Sequence, residues 1–326
     1  MATIKDVAEK AGVSIATVSR IMNNRGPIGE KTRKKVIRAM ELLEYQPNEM
    51  ARALQRSRSS IIGLVVPSIA YAFFSALVDA IEDACHEQGF KLMVCKSGSS
   101  EDREREMVQM LRANKVAGVI LSSRLGDPSV YTEFSIPIVS VDREIEGISS
   151  ITSDNFSGGL MAADYLAESG CKNVLLFSAA VPEYMEMHRR LEGFLDGCKR
   201  NDMSCHTCLM KGGTEFKQEE VSAEFINAVK RQPGIDGVFI TSDIVAANII
   251  GAVDCSDHLI GRSIPIIGYD GSDVSQWMQF STIDQPVREI GECAVDLLVR
   301  KIEGKLVQEK SILPVKLVRR DRKIKL

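Results

Sequence analysis

The chain has 326 residues, too many for one ordinary domain and enough for two or three of roughly 100 to 150 residues each. With 44% hydrophobic and 26% charged residues, 24 glycines and 10 prolines, it is no disordered, collagen-like or disulfide-stapled chain. The net charge of −3 is unevenly divided: residues 1–60 carry 12 Lys/Arg against 6 Asp/Glu, a balance of +6, and the remainder 29 against 38, a balance of −9.

A small basic head before a larger acidic body points to an anionic polymer as the partner of the head alone. Within the head, Thr3-x-x-Asp6 is a helix-capping pattern, and Ile4, Val7, Ala8 and Ala11 then recur at i, i+3, i+4 and i+7 on one apolar face. Gly12 ends this helix and Ser14 caps the next, which runs from Ile15 to about Asn23. Val18 and Ile21 face inward there, while Ile15, Ala16, Ser19 and Arg20 face outward. Two short helices joined by a glycine-containing turn make a helix-turn-helix, whose second helix can enter a major groove. A third helix, about Glu30 to Glu44, buries Thr32, Val36, Ala39, Met40 and Leu43. Its Lys31, Arg33, Lys34, Lys35 and Arg38 are placed for phosphate contact.

Thr3-Ile4-Lys5-Asp6-Val7-Ala8-Glu9-Lys10-Ala11-Gly12-Val13-Ser14, Thr17-Val18-Ser19-Arg20 and Tyr45-x-Pro47-Asn48 resemble the head of the lac-repressor/gal-repressor family, and within it sugar-operon repressors of the sucrose or ribose type. The resemblance covers the whole chain and implies an operator-binding transcriptional regulator that works as a homodimer. It implies that Ile15, Ala16 and Arg20 meet base edges. Arg20 is able to make a bidentate guanine contact, and Ile15 and Ala16 offer apolar contact to a thymine methyl. Thr3, Ser14, Thr17, Ser19, Asn23 and Lys31 complete the duplex-facing set of the head. Asn48 to Gln55 looks like the family's hinge helix, two turns long and too short to be stable alone in water. With Ala51 allowing close approach of two copies, Leu54 corresponds to the wedge that unstacks central base pairs from the minor groove. These assignments divide the chain into a DNA-binding domain at 1–46, a hinge at 47–60 and an effector-binding and dimerisation domain at 61–326. The chain ends at Lys323-Ile324-Lys325-Leu326 without the leucine-heptad segment that makes some relatives tetramers, so a dimer is expected.

From Ile61 onward, short β-branched runs alternate with helical segments. Strands are expected at 61–66, 91–95, 117–121 and 137–141, with helices near 72–87, 101–114 and 127–134. A second series has strands near 173–177, 206–210, 236–240 and 264–268, with helices near 156–169, 186–201, 215–231 and 242–253. Such alternation means parallel sheets covered by helices on both faces, here as two doubly wound lobes. The resemblance implies the fold of periplasmic sugar-binding proteins, with crossovers near 151–157 and 281–287. A last helix at about 286–303 and a strand at 311–318 are expected to return to the first lobe. The lobes then span about 61–156 with 285–316, and about 157–284 with 317–326.

Ligands of such sheets bind beyond the carboxyl ends of the strands, so the effector is expected between the lobes. Ser68, Tyr71, Phe73 and Phe74 follow the first strand, and their aromatics can stack on the apolar face of a sugar or a base. Asp142, Asp243 and Asp270 each lie at a carboxyl edge, where a carboxylate can accept from adjacent hydroxyls. Arg190 matches the family's ligand-contacting arginine, with five donors in a fixed fork. Trp277, which follows Asp270 closely, is expected either at the pocket rim or in the buried core. A sugar or sugar phosphate is the expected effector, with a nucleobase or nucleoside as the alternative, and a sugar-binding protein without regulatory role as the alternative function. Export for transport would leave residues 1–60 without a use.

The eight cysteines are scattered; Cys205-His206-Thr207-Cys208 is the one tight pair. In a strand its two thiols face opposite sides of the sheet, and no second pair completes a zinc site, so no metal and no cofactor are expected. An enzyme is not expected either: GxxxxGK[ST], GxGxxG after a strand, HExxH and GxSxG are all missing, and none of the four histidines sits in a triad context. No apolar run reaches the ~20 residues of a membrane helix, and Met1 to Asp6 is no secretion signal, so a cytoplasmic protein is expected.

Overall fold

A computed structural model describes residues 2–22, 26–45, 59–98, 100–128, 131, 134–210, 218–254 and 261–325. Asn23 and the hinge residues Asn48, Ala51 and Leu54 lie outside the described residues, as does half of the helix expected at 127–134. The chain divides into two compact units, Met1–Ser59 and Ser60–Leu326.

The first unit holds helices α1 (Ile4–Ala11), α2 (Ile15–Met22) and α3 (Glu30–Leu42). Thr3 and Asp6 form a reciprocal capping box, in which the Thr3 backbone N–H donates to Asp6 Oδ2 at 2.7 Å. Gly12, at φ 66°, closes α1 in the left-handed conformation and donates to Ala8 and Glu9 carbonyls. Ser14 Oγ then accepts the Thr17 N–H at 3.1 Å and starts α2. Val7, Ala8, Ala11, Val18, Ile21, Val36 and Ala39 form a small common core.

In the second unit two sheets stand in series. The first contains β1 (Ile61–Val66), β2 (Lys91–Lys96), β3 (Gly118–Leu121), β4 (Ile138–Val141), β5 (Ser149–Ser153) and β11 (Lys310–Leu313), in the order β11-β5-β4-β3-β1-β2, all parallel. Helices α4 (Ala72–Glu87) and α11 (Val287–Ile302) pack on one face, where Leu77, Ile81, Ile290 and Leu298 meet Ile62 and Leu64. On the other face α5 (Glu101–Ala113) brings Val108 and Leu111 against Val65, Val119 and Leu121. Burial on both faces explains why β1 reads as an unbroken apolar run rather than an alternating one.

The second sheet contains β6 (Asn173–Ala179), β7 (Ser204–Met210), β8 (Gly237–Ile240), β9 (Ser263–Asp270), β10 (Ser281–Asp284) and β12 (Lys316–Val318), in the order β12-β10-β9-β8-β6-β7. β12 is antiparallel to β10, and β13 (Lys323–Lys325) is antiparallel to β9. Its faces are covered by α6 (Asn155–Glu168) with α7 (Glu186–Arg200), and by α8 (Gln218–Arg231) with α9 (Asp243–Asp254). A short α10 (Asp273–Trp277) follows β9.

Two findings differ from the sequence reading. Residues 151–153 and 281–284, expected within crossovers, belong to β5 and β10 and are paired inside the sheets. The strand expected at 311–318 is two: β11 joins the first sheet and β12 the second, separated by Pro314, which cannot donate to a ladder.

Both sheets share one ordering: the second strand lies at one edge, then the first, third, fourth and fifth. Each therefore has its topological switch between its first and third strands, β1/β3 and β6/β8. That is where ligands of doubly wound sheets collect.

Candidate functional site

In the first unit the outward face of α2 carries Ile15, 42% exposed, with Ala16 and Arg20 also exposed. Ser19 is half-buried. Thr17 shares a 2.9 Å hydroxyl contact with Ser14, and Thr3 lies in the α1 capping box, so all three serve helix starts. Lys31 is exposed in the first turn of α3.

In the second unit one cavity of about 130 Å³ opens at the strand ends of both sheets. A cavity near 150 Å³ admits one six-membered ring. Tyr71, Phe73, Phe74, Arg124 and Asp142 come from the first lobe. Ser178, Met187, Arg190, Thr241, Ser242, Asp270 and Gln285 come from the second lobe and its crossover. Of the nine effector residues expected from the sequence, Tyr71, Phe73, Phe74, Asp142, Arg190 and Asp270 line this cavity.

The other three stand elsewhere. Ser68 is 8% exposed, and its Oγ accepts the Ala70 N–H at 3.1 Å as a turn former. Asp243 is wholly buried at the start of α9, where Oδ2 accepts from Ser272 N and Oγ at 2.8 and 3.0 Å, and Oδ1 from the Thr282 hydroxyl at 2.7 Å. Trp277 is 75% exposed and borders, with Asp273, Arg288 and Lys316, an open groove that adjoins the cavity through Phe73, Asp270 and Gln285.

Arg190 anchors the polar wall. Its guanidinium is 3% exposed and lies 3.2 Å above the Tyr269 ring. Nε and Nη2 both donate to Asn155 Oδ1, at 3.1 and 2.8 Å, and Nη1 donates to the Thr241 carbonyl at 2.6 Å. These bonds occupy three of its five donors. Asn155 opens α6 and Arg190 lies on α7, so the pairing depends on how closely these helices approach. Glycines at 159 and 193 allow it: an added Cβ would sit 2.2 Å from the Arg190 carbonyl and 2.0 Å from the Phe156 carbonyl respectively.

Asp270 Oδ1 lies 3.9 Å from Arg190 Nη1, and Asp142 Oδ2 lies 3.7 Å from Arg124 Nη2. Both separations exceed a hydrogen bond, so each carboxylate and guanidinium can take ligand hydroxyls between them. Gln285 Nε2 donates to Asp270 Oδ1 at 2.9 Å while its Oε1 accepts from Ser153 of the first lobe, spanning the two lobes at the crossover. Arg124 is set by its backbone: Glu104 Oε2 accepts its N–H at 2.8 Å, and Glu101 Oε1 accepts that of Gly126 at 2.8 Å.

Both cavity carboxylates sit on strained backbone, Asp142 at φ 60° and Asp270 at φ 122°. Non-glycine residues occupy such conformations at a cost of about 1–3 kcal/mol, and they gather at ligand sites. Burial raises the pKa of both, opposed at Asp142 by Arg124 and Arg190 and at Asp270 by Arg190. Burial also raises Asp243, and the charge of Asp270 adds to that rise.

A raised carboxylate stabilises the fold when protonated, and that contribution is lost as pH rises through the folded-state pKa. In the Asp243→Asn variant an amide can accept from Ser272 and donate to Thr282. Its Tm should therefore gain on wild type as pH is raised from about 5 to 8. Parallel pH curves would show that Asp243 does not titrate there.

Arg124, Ser178, Thr241, Ser242 and Gln285 were missed from the sequence. Arg124 could have been found, since it follows β3 at the same carboxyl edge. Gln285 could not, because β10 was not recognised as a strand.

A model of "Bacterial regulatory proteins, lacI family" matches residues 3–48, and a "Periplasmic binding protein-like domain" matches residues 163–321. The sucrose operon repressor of Lactococcus lactis subsp. lactis is 33% identical over 97% of this chain and 98% of its own length. The lac repressor dimer bound to operator and the anti-inducer ONPF is 27% identical, with TM-score 0.85 over 98% of each chain. A periplasmic binding protein/LacI transcriptional regulator from Alkaliphilus metalliredigens QYMF, complexed with D-xylulofuranose, is 32% identical. It covers 82% of this chain and 100% of its own, with TM-score 0.73. With a helix-turn-helix head and a periplasmic-binding-protein-like body matched over nearly its whole length by a relative 33% identical, the chain belongs to the lacI family of bacterial regulatory proteins.

Proposed function

We propose that this protein is a repressor of a carbohydrate-utilisation operon, released from or driven onto its operator by a sugar or sugar phosphate bound between the lobes. The observation that carries the reading is the convergence of Asp142, Asp270, Arg124 and Arg190 on one ring-sized cavity walled by Phe73 and Phe74. Carboxylates and guanidinium donors at opposite edges of a ring suit vicinal hydroxyls, and the aromatic wall suits the ring's apolar face. Its relatives' names agree with that chemistry: one represses a sucrose operon, and another holds D-xylulofuranose.

On this reading α2 enters the major groove with Arg20, Ile15 and Ala16 on base edges, and Thr3, Ser14, Thr17, Ser19, Asn23 and Lys31 along the backbone. Two copies on a two-fold symmetric operator bring their hinge segments together, with Leu54 as the wedge and Asn48 and Ala51 beside it. Effector binding changes the relative pose of the lobes and shifts operator affinity by a coupling of about 1–3 kcal/mol. Work on DNA places the protein in the cytoplasm. Among the described residues no helix is long and apolar enough to cross a membrane.

A gel shift with a palindromic operator bearing a central CG step tests both halves. Wild type should bind it, and one of a panel of sugars and sugar phosphates should change the midpoint by at least fivefold. Arg20→Ala should lose about 1–3 kcal/mol of discrimination between cognate and substituted half-sites. Equal discrimination by wild type and variant refutes the groove assignment, and indifference to every sugar refutes the effector assignment.

A further inference from the structure

The sequence draws attention to Cys205 and Cys208, yet the strand separates them: Cys205 packs against the α6–α7 core and Cys208 against the α8–α9 core. The true neighbour of Cys205 is Cys198. Cys198 lies in the last turns of α7, and the chain returns through a tight turn at Asp202, φ 50°, so that β7 begins beside that turn. The Met203 N–H donates to the Cys198 carbonyl at 2.9 Å and fixes the return. As a result Cys198 lies inside the α6–α7 core and Cys205 packs against that same core one turn away.

We propose that Cys198 and Cys205 form an oxidant-responsive thiol pair that closes reversibly to a disulfide. Two thiols packed into one core across a single tight turn need only a local approach to reach the S–S bond length of about 2.05 Å. The two positions are unequal in the way such chemistry requires. Cys198 is 1% exposed, whereas Cys205 is half-buried on β7, the edge strand of its sheet, where a small oxidant can reach it.

The neighbouring Cys198 side chain holds Cys205 below the usual thiol pKa. The thiolate is the attacking form, so Cys205 is the nucleophile. Burial instead pushes Cys85, Cys95, Cys171, Cys208 and Cys293 up, which leaves Cys205 the most reactive of the described cysteines.

With hydrogen peroxide as oxidant, the Cys205 thiolate attacks one peroxide oxygen, the O–O bond breaks, and hydroxide leaves as Cys205 becomes the sulfenic acid. Cys198 sulfur then attacks the Cys205 sulfur. The S–O bond breaks, the hydroxyl leaves, and the Cys198 proton goes to it as water. In sum two thiols and one peroxide yield one disulfide and two waters, and a thiol reductant reverses the bond by exchange. The disulfide ties α7, which carries Met187 and Arg190, to β7, which carries Met210, and all three side chains line the cavity.

Titrating the full-length protein with hydrogen peroxide, then digesting it without reduction, tests the pairing by peptide mass. The expected product is a Cys198–Cys205 link that forms before any other cysteine is modified and disappears with dithiothreitol. In Cys198→Ala, Cys205 should stall as a sulfenic acid that a dimedone adduct traps. In Cys205→Ser, peroxide-dependent thiol loss should slow at least tenfold. Earlier modification of another cysteine, or unchanged thiol loss in Cys205→Ser, overturns the proposal, whatever the protein does with sugars or DNA.

Discussion

Gly193→Ala should lower the Tm of the second unit by roughly 6–12 °C, whereas Gly251→Ala should raise it slightly. The methyl group added at Gly193 would lie 2.0 Å from the Phe156 carbonyl oxygen and 2.9 Å from its carbon. Backbone stands on both sides of that clash, so no rotamer change relieves it and the helices must separate. Overpacking costs about 1–3 kcal/mol when side chains can move, and more when they cannot. About 3 kcal/mol, at about 2–4 °C per kcal/mol for a domain of 150–250 residues, gives the range stated. Gly251 lies inside α9 with nothing within 4 Å of its missing methyl, so alanine there should bring only its better helix propensity, about 0.5–1 kcal/mol. Thermal melts of the two variants have opposite expected signs and share one substitution. If Gly193→Ala melts with wild type, the close approach of α6 and α7 is not needed for stability. The same separation would draw Asn155 away from Arg190, so the effector response of Gly193→Ala should weaken even well below its Tm.

How far the sequence carried this site can be followed residue by residue. Periodicity found the helices and the apolar strands because both report burial: β4 and β8 are buried along their whole length, and β1 at every residue after Ile61. It passed over β5, whose Ser149, Ser150, Thr152 and Ser153 are also buried but polar, since that strand is sealed by its neighbours β4 and β11 rather than by its own side chains. The carboxyl-edge rule brought Asp142 and Asp270 to the cavity and Asp243 to the same edge, but it is blind to what a carboxylate is already bonded to. Asp243 is taken up by Ser272 and Thr282, a loop and a strand that meet it only in three dimensions. Asn155 could not be read as a partner of Arg190 either, because their contact is made by the crossing of α6 and α7. Trp277 shows the converse: a large aromatic near Asp270 in sequence lines not the cavity itself but the open groove that adjoins it.

Arg190→Ala should reduce effector affinity at least 100-fold while leaving operator binding by the head unchanged. The loss has two sources that can be separated. One is direct: the guanidinium donors facing the cavity are gone, and charged hydrogen bonds are worth about 1.5–3 kcal/mol each. The other is electrostatic. Arg190 is what opposes the upward push of burial on Asp270, so its removal should raise that carboxyl further and leave it uncharged near neutrality, a donor where an acceptor is needed. The buried Asn155 and Thr241 oxygens would also lose their donor. Breaking one side of a buried ion pair typically costs about 3–5 kcal/mol, although at 3.9 Å this pair is loose and the lower figure applies. Asp270→Asn introduced beside Arg190→Ala should therefore recover part of the Tm at pH values high enough to ionise the stranded carboxyl, without recovering effector binding, because it removes that buried acid but restores no guanidinium. Calorimetric titration of the four members of that cycle with the effector found in the sugar screen provides the measurement. Should Arg190→Ala bind that effector as tightly as wild type, Arg190 is a structural strut between α6 and α7, and the ligand is held by Asp142, Arg124 and the aromatic wall instead.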